Sequence, residues 1–303
     1  MSSTRTAREM AQWVFDEGLL LKTGVDGLYG RSGEYLAVTE GIHRVIHMWG
    51  RTFGADVVSM PPLLSRPNFE GTNYLQSFPN LMGSVHVFTG DDEDHAALLR
   101  LSAKGGDWSA DLHPSNLMLC PAACHQVYPM LTGELSSNGR WIDVRAVCFR
   151  NEPSTDPMRQ LSFEMHEIVF VGESAAAERH RDQGLEWGLL MLEDLGLSME
   201  AVPASDPFFG RLGTSLMVEQ TESELKFEGV TPIDHPVRTV AIMSANCHRD
   251  HFGASFAISC ASGEVAHSAC VGFGVDRIAL ALFENHGPHT ADWPPSVRRR
   301  LWT

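Results

Sequence analysis

Phe149-Arg150-Asn151-Glu152, taken with Arg159-Gln160-Leu161-Ser162-Phe163-Glu164-Met165-His166-Glu167, is the stretch that decides the fold. Residues 141–152 and 162–171 alternate like strands, and Pro153-Ser154-Thr155-Asp156-Pro157 between them is turn chemistry. The pair reads as an antiparallel hairpin. Side chains along a strand alternate faces, so Arg150 and Glu152 share one face, while Phe163, Met165 and Glu167 share one face of the returning strand. If those faces coincide, one surface offers a guanidinium, an aromatic ring and two carboxylates. Arginine suits phosphate because its fork donates two parallel charge-assisted hydrogen bonds. Phenylalanine gives an adenine ring a flat apolar partner. For this segment alone, an exposed hairpin laced with salt bridges stays open as the alternative.

Outward from the hairpin, Ile42, Val45, Ile46, Trp49 and Phe53 follow helical spacing, which predicts an amphipathic helix over 39–53. It runs into a β-type segment, Ala55 to Met60, stopped by Pro61-Pro62. Thr6-x-x-Glu9 reads as a capping box that opens a helix towards Leu21, ended by Gly24. Leu185, Leu189 and Leu192 mark one face of a helix over 174–195, with Gly196 as its C-cap. Residues 239–244 and 255–260 look like strands, and 263–272 leads as a strand into a helix starting near Val275. Mostly antiparallel strands with helices outside them predict an α+β architecture. With no repeat, low-complexity tract or long linker, a single domain over 1–303 is the expectation.

The balance is acidic, 38 Asp and Glu against 23 Lys and Arg, a formal net charge of −15. That argues against wide nucleic-acid contact, which draws its affinity from many cations on phosphates. Arg298-Arg299-Arg300 is the densest basic run and reads as a solvated tail or a local docking patch. No apolar stretch approaches the roughly 18 residues needed to span a bilayer. The polar start, Met1 to Glu9, lacks a secretory signal. Six scattered cysteines in so long a chain suit thiols or metal ligands better than a disulfide framework. A soluble, cytoplasmic enzyme with no membrane partner is expected.

The third informative stretch is Gly263-Glu264-Val265-Ala266-His267-Ser268-Ala269-Cys270-Val271-Gly272-Phe273-Gly274-Val275-Asp276-Arg277. By alternation Glu264, Ala266, Ser268 and Cys270 fall on one strand face, and Arg277 sits in the first turn of the next helix. A lone Gly-x-Gly-x-x-Arg is weak. Combined with Phe-Arg-x-Glu, a loop Arg and a Phe, it resembles motifs 2 and 3 of class II aminoacyl-tRNA synthetases, whose core is an antiparallel sheet flanked by helices. The helix and β-run ending at Pro61-Pro62 loosely resemble motif 1, the dimer-forming element, so a homodimer is expected.

Within that class the chain is similar to the catalytic core of the atypical zinc-dependent seryl-tRNA synthetases, and closer to their truncated relatives, the amino acid:[carrier protein] ligases. The segments that carry this are Pro121-Ala122-Ala123-Cys124, Phe163 to Glu167, Asp206-Pro207-Phe208-Phe209-Gly210-Arg211, Leu225-Lys226-Phe227-Glu228 and Ser268-Ala269-Cys270. The resemblance implies activation of glycine or alanine with ATP and transfer to the phosphopantetheine of a holo-carrier protein, without a tRNA-binding arm and without tRNA. A true aminoacyl-tRNA synthetase and a silent regulatory paralogue are the alternatives. By resemblance Arg150 grips the α-phosphate, Glu152 contacts the substrate, and Arg159 and Gln160 lie over the nucleotide. Phe163 and Arg277 sandwich the adenine, Arg277 also reaching the γ-phosphate. Glu264 holds Mg²⁺, Ala241-Ile242-Met243-Ser244 line the nucleotide pocket, and Lys226 contacts the amino acid.

The resemblance also implies that Cys124, Glu167 and Cys270 ligate Zn²⁺, leaving one tetrahedral position open for the substrate amine. Their wide spacing carries no zinc signature of its own. Two rivals stay open: Cys120 with Cys124 as a local pair, and the ligand-rich run Cys247-His248-Arg249-Asp250-His251. Cys148 and Cys260 read as core thiols, as does Cys120 if it does not bind.

Overall fold

A computed structural model describes residues 5–206, 224–234 and 238–303. Helix α1 (Ala7–Asp16) opens with the expected capping box, Thr6 accepting from the Glu9 amide and Glu9 returning the bond. It stops well short of Leu21. Gly18 takes φ +66°, and β1 (Leu20–Val25) and β2 (Leu28–Arg31) form a hairpin around Asp26-Gly27, Gly27 having φ +79°. An Asp-Gly pair between short strands is a strong two-residue turn signal. It outweighs the continuation of the helix predicted from the cap.

Ser32 then caps α2 (Gly33–Thr52), longer at its start than the spacing predicts, followed by β3 (Asp56–Met60) and β4 (Leu63–Ser65). Short helices α3 (Arg66–Gly71) and α4 (Tyr74–Ser77) precede β5 (Ser84–Val87), α5 (Asp92–Ala103) and β6 (His113–Leu119). After β7 (Gly133–Glu134) comes the expected hairpin, β8 (Arg140–Phe149) and β9 (Ser162–Gly172), then α6 (Ser174–Asp194). Strands β10 (Glu200–Pro203), β11 (Lys226–Asp234) and β12 (Arg238–Arg249) follow. The strand predicted over 255–260 is instead α7 (His251–Ser255) and a two-residue β13 (Ile258–Ser259). Strand β14 (His267–Gly274) leads into α8 (Val275–His286), and α9 (Pro295–Trp302) ends the chain.

Seven strands form the central sheet in the order β10-β11-β12-β14-β9-β8-β3. All neighbours are antiparallel except β3 with β8. The α+β reading holds. One face carries Ala245, Val271, Phe273 and Ile168 into the main core with α2, α6 and α8. Full burial of the larger of these, Val271, Phe273 and Ile168, contributes roughly 1.5–3 kcal/mol each. Helix α6 lies close because Gly184 and Gly188 face the sheet; a Cβ on Gly184 would meet Val271 Cγ2 at 2.2 Å. With that face sealed by helices, the opposite face is free to hold a site.

A candidate active site on the open face of the sheet

Register decides which side chains reach the open face. It carries Lys226 and Glu228 from β11, Ser244, Asn246 and His248 from β12, and Cys270, Gly272 and Gly274 from β14. From β9 come Phe163, Met165 and Glu167, with Glu167 opposite Gly272. These residues line a cavity of about 790 Å³. The period-two reading of β9 is therefore correct. Arg150 and Glu152 lie just past the end of β8 and also line the cavity, as do Gln160, Ala241, Ile242, Met243 and Arg277.

At one end two arginines converge. Arg150 Nε donates to the Pro121 carbonyl at 3.1 Å, and its guanidinium carbon lies 5.5 Å from the Phe163 ring centre. Arg277 donates from Nε to the Met158 carbonyl (2.8 Å) and from Nη1 to the Ala241 carbonyl (2.9 Å). Backbone acceptors thus fix both forks in place. Burial, and then the charges of Arg150 and Arg159, push the Arg277 guanidinium down from its usual range. Half-buried like charges held together in this way favour an anionic occupant.

At the other end Cys124, Glu167 and Cys270, all buried, bring one ligand atom each within 4.8 Å of one another. They come from three separate segments: a short 3-10 turn after β6, then β9, then β14. The Cys124 amide donates to Glu167 Oε1 at 3.0 Å, which aims the carboxylate. Asn246 Nδ2 donates to Ser244 Oγ (3.1 Å) and to Cys270 Sγ (3.5 Å). A hydrogen bond to Cys270, burial and the Glu167 charge hold the Cys124 thiol well above its ordinary pKa. The same bond pulls Cys270 down, but burial and Glu167 outweigh it and its pKa is raised. Without a cation both thiols keep their protons. A divalent ion would displace them, and two thiolates with one carboxylate suit zinc with one position open. The donor set fits the group.

Between the two ends the wall is aromatic and neutral. His125 is buried and His248 half-buried, and desolvation first pushes each down to about 3. His248 Nδ1 lies 3.1 Å from Ser268 Oγ and 3.4 Å from the Tyr128 hydroxyl, and Tyr128 stacks on Phe252 at 3.9 Å. Lys226 is bracketed by Asp206 (2.5 Å) and Glu228 (3.1 Å). Burial alone would lower the Lys226 pKa; these two charges raise it.

One sequence expectation needs correction. Glu264 does not lie on a strand with Cys270, because β14 begins only at His267. It is exposed in the preceding turn, away from the cavity lining. Arg159 is half-exposed and pairs with Glu152 at 3.5 Å rather than lining the cavity. Cys120 does not join Cys124; its Sγ donates to the Ala122 carbonyl at 3.1 Å, and Gln126 Nε2 lies 3.4 Å from it. His248 and His251 line the cavity, but neither joins a metal-ligand cluster among the described residues. Residues 207–211 of the Asp206–Arg211 segment lie outside the described residues.

The sequence reading passed over Glu228 and Asn246, although each is two residues from a site residue on the same strand face and alternation would have found it. Thr72, Tyr74 and Phe78, which also line the cavity, carry no such signal.

No protein-family model matches the chain. It is 42% identical over 288 residues to amino acid–[acyl-carrier-protein] ligase 2 of Bradyrhizobium diazoefficiens, covering 94% of this chain and 86% of that protein. The chain belongs to this ligase family. A type-2 serine–tRNA ligase of Methanopyrus kandleri is 28% identical over 211 residues, 65% of this chain and 40% of that one. The M. kandleri seryl-tRNA synthetase structure with A. aeolicus tRNA superposes with a TM-score of 0.80 at 22% identity. The match covers 98% of this chain and 60% of that one. The class II synthetase fold expected from motifs 2 and 3 is the fold observed. Among the described residues no helix is long and apolar enough to cross a membrane.

Proposed function

We propose that this ligase activates glycine or alanine with ATP and passes the aminoacyl group to the phosphopantetheine thiol of a carrier protein. The observation that carries the proposal is the joining, in one cavity, of an anion-seeking pair, Arg150 and Arg277, with a metal-seeking trio, Cys124, Glu167 and Cys270. The names of the Bradyrhizobium relatives support the carrier protein as acceptor.

In the first step a carboxylate oxygen of the amino acid attacks the α-phosphorus of ATP, and the bond to the pyrophosphate oxygen breaks. Arg150 and Arg277, already held by backbone carbonyls, stabilise the charge without having to reorganise. Phe163 offers its face to the adenine, and Ala241 to Ser244 form the nucleotide wall. Glu152 and Glu228, the carboxylates that act on Arg277, would hold the Mg²⁺ that neutralises the ATP phosphates, in place of the exposed Glu264. In the second step the phosphopantetheine sulfur attacks the aminoacyl carbonyl, AMP leaves, and the thiol proton is released. No enzyme nucleophile is needed.

Small substrates are hard to select, since one methylene gives only about 1–3 kcal/mol of discrimination. A zinc ion held by Cys124, Glu167 and Cys270 would bind the α-amino group and so add affinity independent of the side chain. Lys226 and Glu152 would orient the rest of the substrate. A homodimer would have Val57 of the edge strand β3 and Met48 of α2, both exposed, available as apolar contacts.

ATP–pyrophosphate exchange across all amino acids, with and without a zinc chelator, tests the reading. Exchange with glycine or alanine, lost on chelation and in Cys270→Ala together with the metal, is expected. Normal exchange in a metal-free Cys270→Ala enzyme would refute it. Labelled amino acid offered to holo-carrier protein or to total tRNA separates the ligase from a tRNA synthetase.

A further inference from the structure

The β1–β2 hairpin lies outside every motif used above, yet it touches both walls of the nucleotide end of the cavity. At its tip the Gly27 carbonyl accepts from the Leu161 amide at 2.7 Å, and the Leu161 carbonyl accepts from the Arg150 amide at 3.0 Å. A Cβ on Gly27 would press on Leu161 at 3.2 Å, so the tip is seated directly on the loop that precedes Phe163. At its base Arg31 makes a bidentate pair with Asp276, Nε and Nη2 each 2.8 Å from a carboxylate oxygen.

Asp276 immediately precedes Arg277 and is buried. Its Oδ2 also accepts from the Glu164 amide at 2.6 Å, and Oδ1 accepts from the Tyr35 hydroxyl at 3.0 Å. Glu164 immediately follows Phe163, and its carboxylate lies 3.9 Å from Arg31 Nη1. One carboxylate therefore ties the strand that bears Phe163 to the helix that bears Arg277, and one guanidinium neutralises and orients that carboxylate. Among the described residues, Arg31 is the one charged donor to Asp276.

We infer that Arg31 is a positioning residue for ATP: through Asp276 it sets the spacing between Phe163 and Arg277, the two side chains that the family resemblance places on either side of the adenine. The inference rests on the proposed use of ATP. Guanidinium matters here beyond charge, because a lysine at 31 cannot satisfy both carboxylate oxygens in one plane. A displacement of about 1 Å at a positioned reactive group can cost on the order of 10²-fold.

Isothermal titration of the full chain with a non-hydrolysable ATP analogue, for the unaltered protein, Arg31→Lys and Arg31→Met, tests this. The expected result is at least about tenfold weaker binding in Arg31→Met, with Arg31→Lys in between. Metal content and the KM for the amino acid in pyrophosphate exchange should stay at their unaltered values. General loosening of the fold would move those two readouts as well, and that outcome would overturn a positioning role. Equal affinities in all three proteins would overturn this inference alone. Absence of binding by the unaltered chain would sink the ATP reading and this inference with it. Should Arg31→Met fail to fold, Arg31→Lys carries the comparison.

Discussion

His180 provides a pH test of the packed side of the sheet. The ring is buried between α6 and β9, its Nε2 2.9 Å from the Ile168 carbonyl, stacked on Trp49 at 5.7 Å between ring centres. Its Nδ1 is buried and finds no partner among the described residues. A charged ring would carry a second N–H with nowhere to donate, so burial pushes the pKa from 6.5 to about 4. The folded-state value is depressed for a base, so the unfolded chain binds the proton first and stability falls as pH drops below the unfolded value. At about 1.4 kcal/mol per pH unit, the loss from roughly pH 7 to pH 5 is ~2 kcal/mol from this ring alone. Urea unfolding of the chain and of His180→Gln, at both pH values, isolates the effect: glutamine cannot take up the proton, so the stability difference between the two proteins should shrink by that amount on acidification. A difference that stays constant across the range would refute the claim that the ring is buried and neutral.

Two more outcomes follow from the cavity. Arg150→Ala removes a pre-aimed donor from the developing charge and should lower the rate of pyrophosphate exchange by about 10²–10³-fold; bound metal, measured by elemental analysis, should be unchanged because the arginine has no contact with the trio. Glu264→Ala should keep exchange within about twofold across a Mg²⁺ titration, as expected of an exposed surface change.

What could be read from the sequence divides along physical lines. The β8–β9 hairpin was legible because period-two patterning and a proline-bounded turn agree, and its alternation placed Phe163 and Glu167 on the correct face. The start of β14 was not. Val265 and Ala266 extend the apolar run backwards, and only the pairing of β14 with β9, starting at His267 opposite Gly172, shows where the strand begins and why Glu264 is excluded. The first helix was drawn too long because a strong N-cap says where a helix begins and nothing about its end; Gly18 and the Asp26-Gly27 turn decide that. Cys124 and Cys270 are 146 positions apart in number, so only a resemblance could pair them before the sheet brought them together. Arg31 and Asp276 escaped notice for the same reason, with no local pattern linking a hairpin residue to a helix far downstream.

The distribution of the three candidate metal ligands has a consequence for biogenesis. The last of them arrives on β14, which is inserted between β9 and β12, so the cluster does not exist until the middle of the sheet has closed. A nascent chain that has released only Cys124 and Glu167 can offer an ion no more than a loose, two-point grip. A metal held there would be captured by the finished scaffold rather than act as its nucleus. Folding should then proceed in chelator, with the ion loaded afterwards.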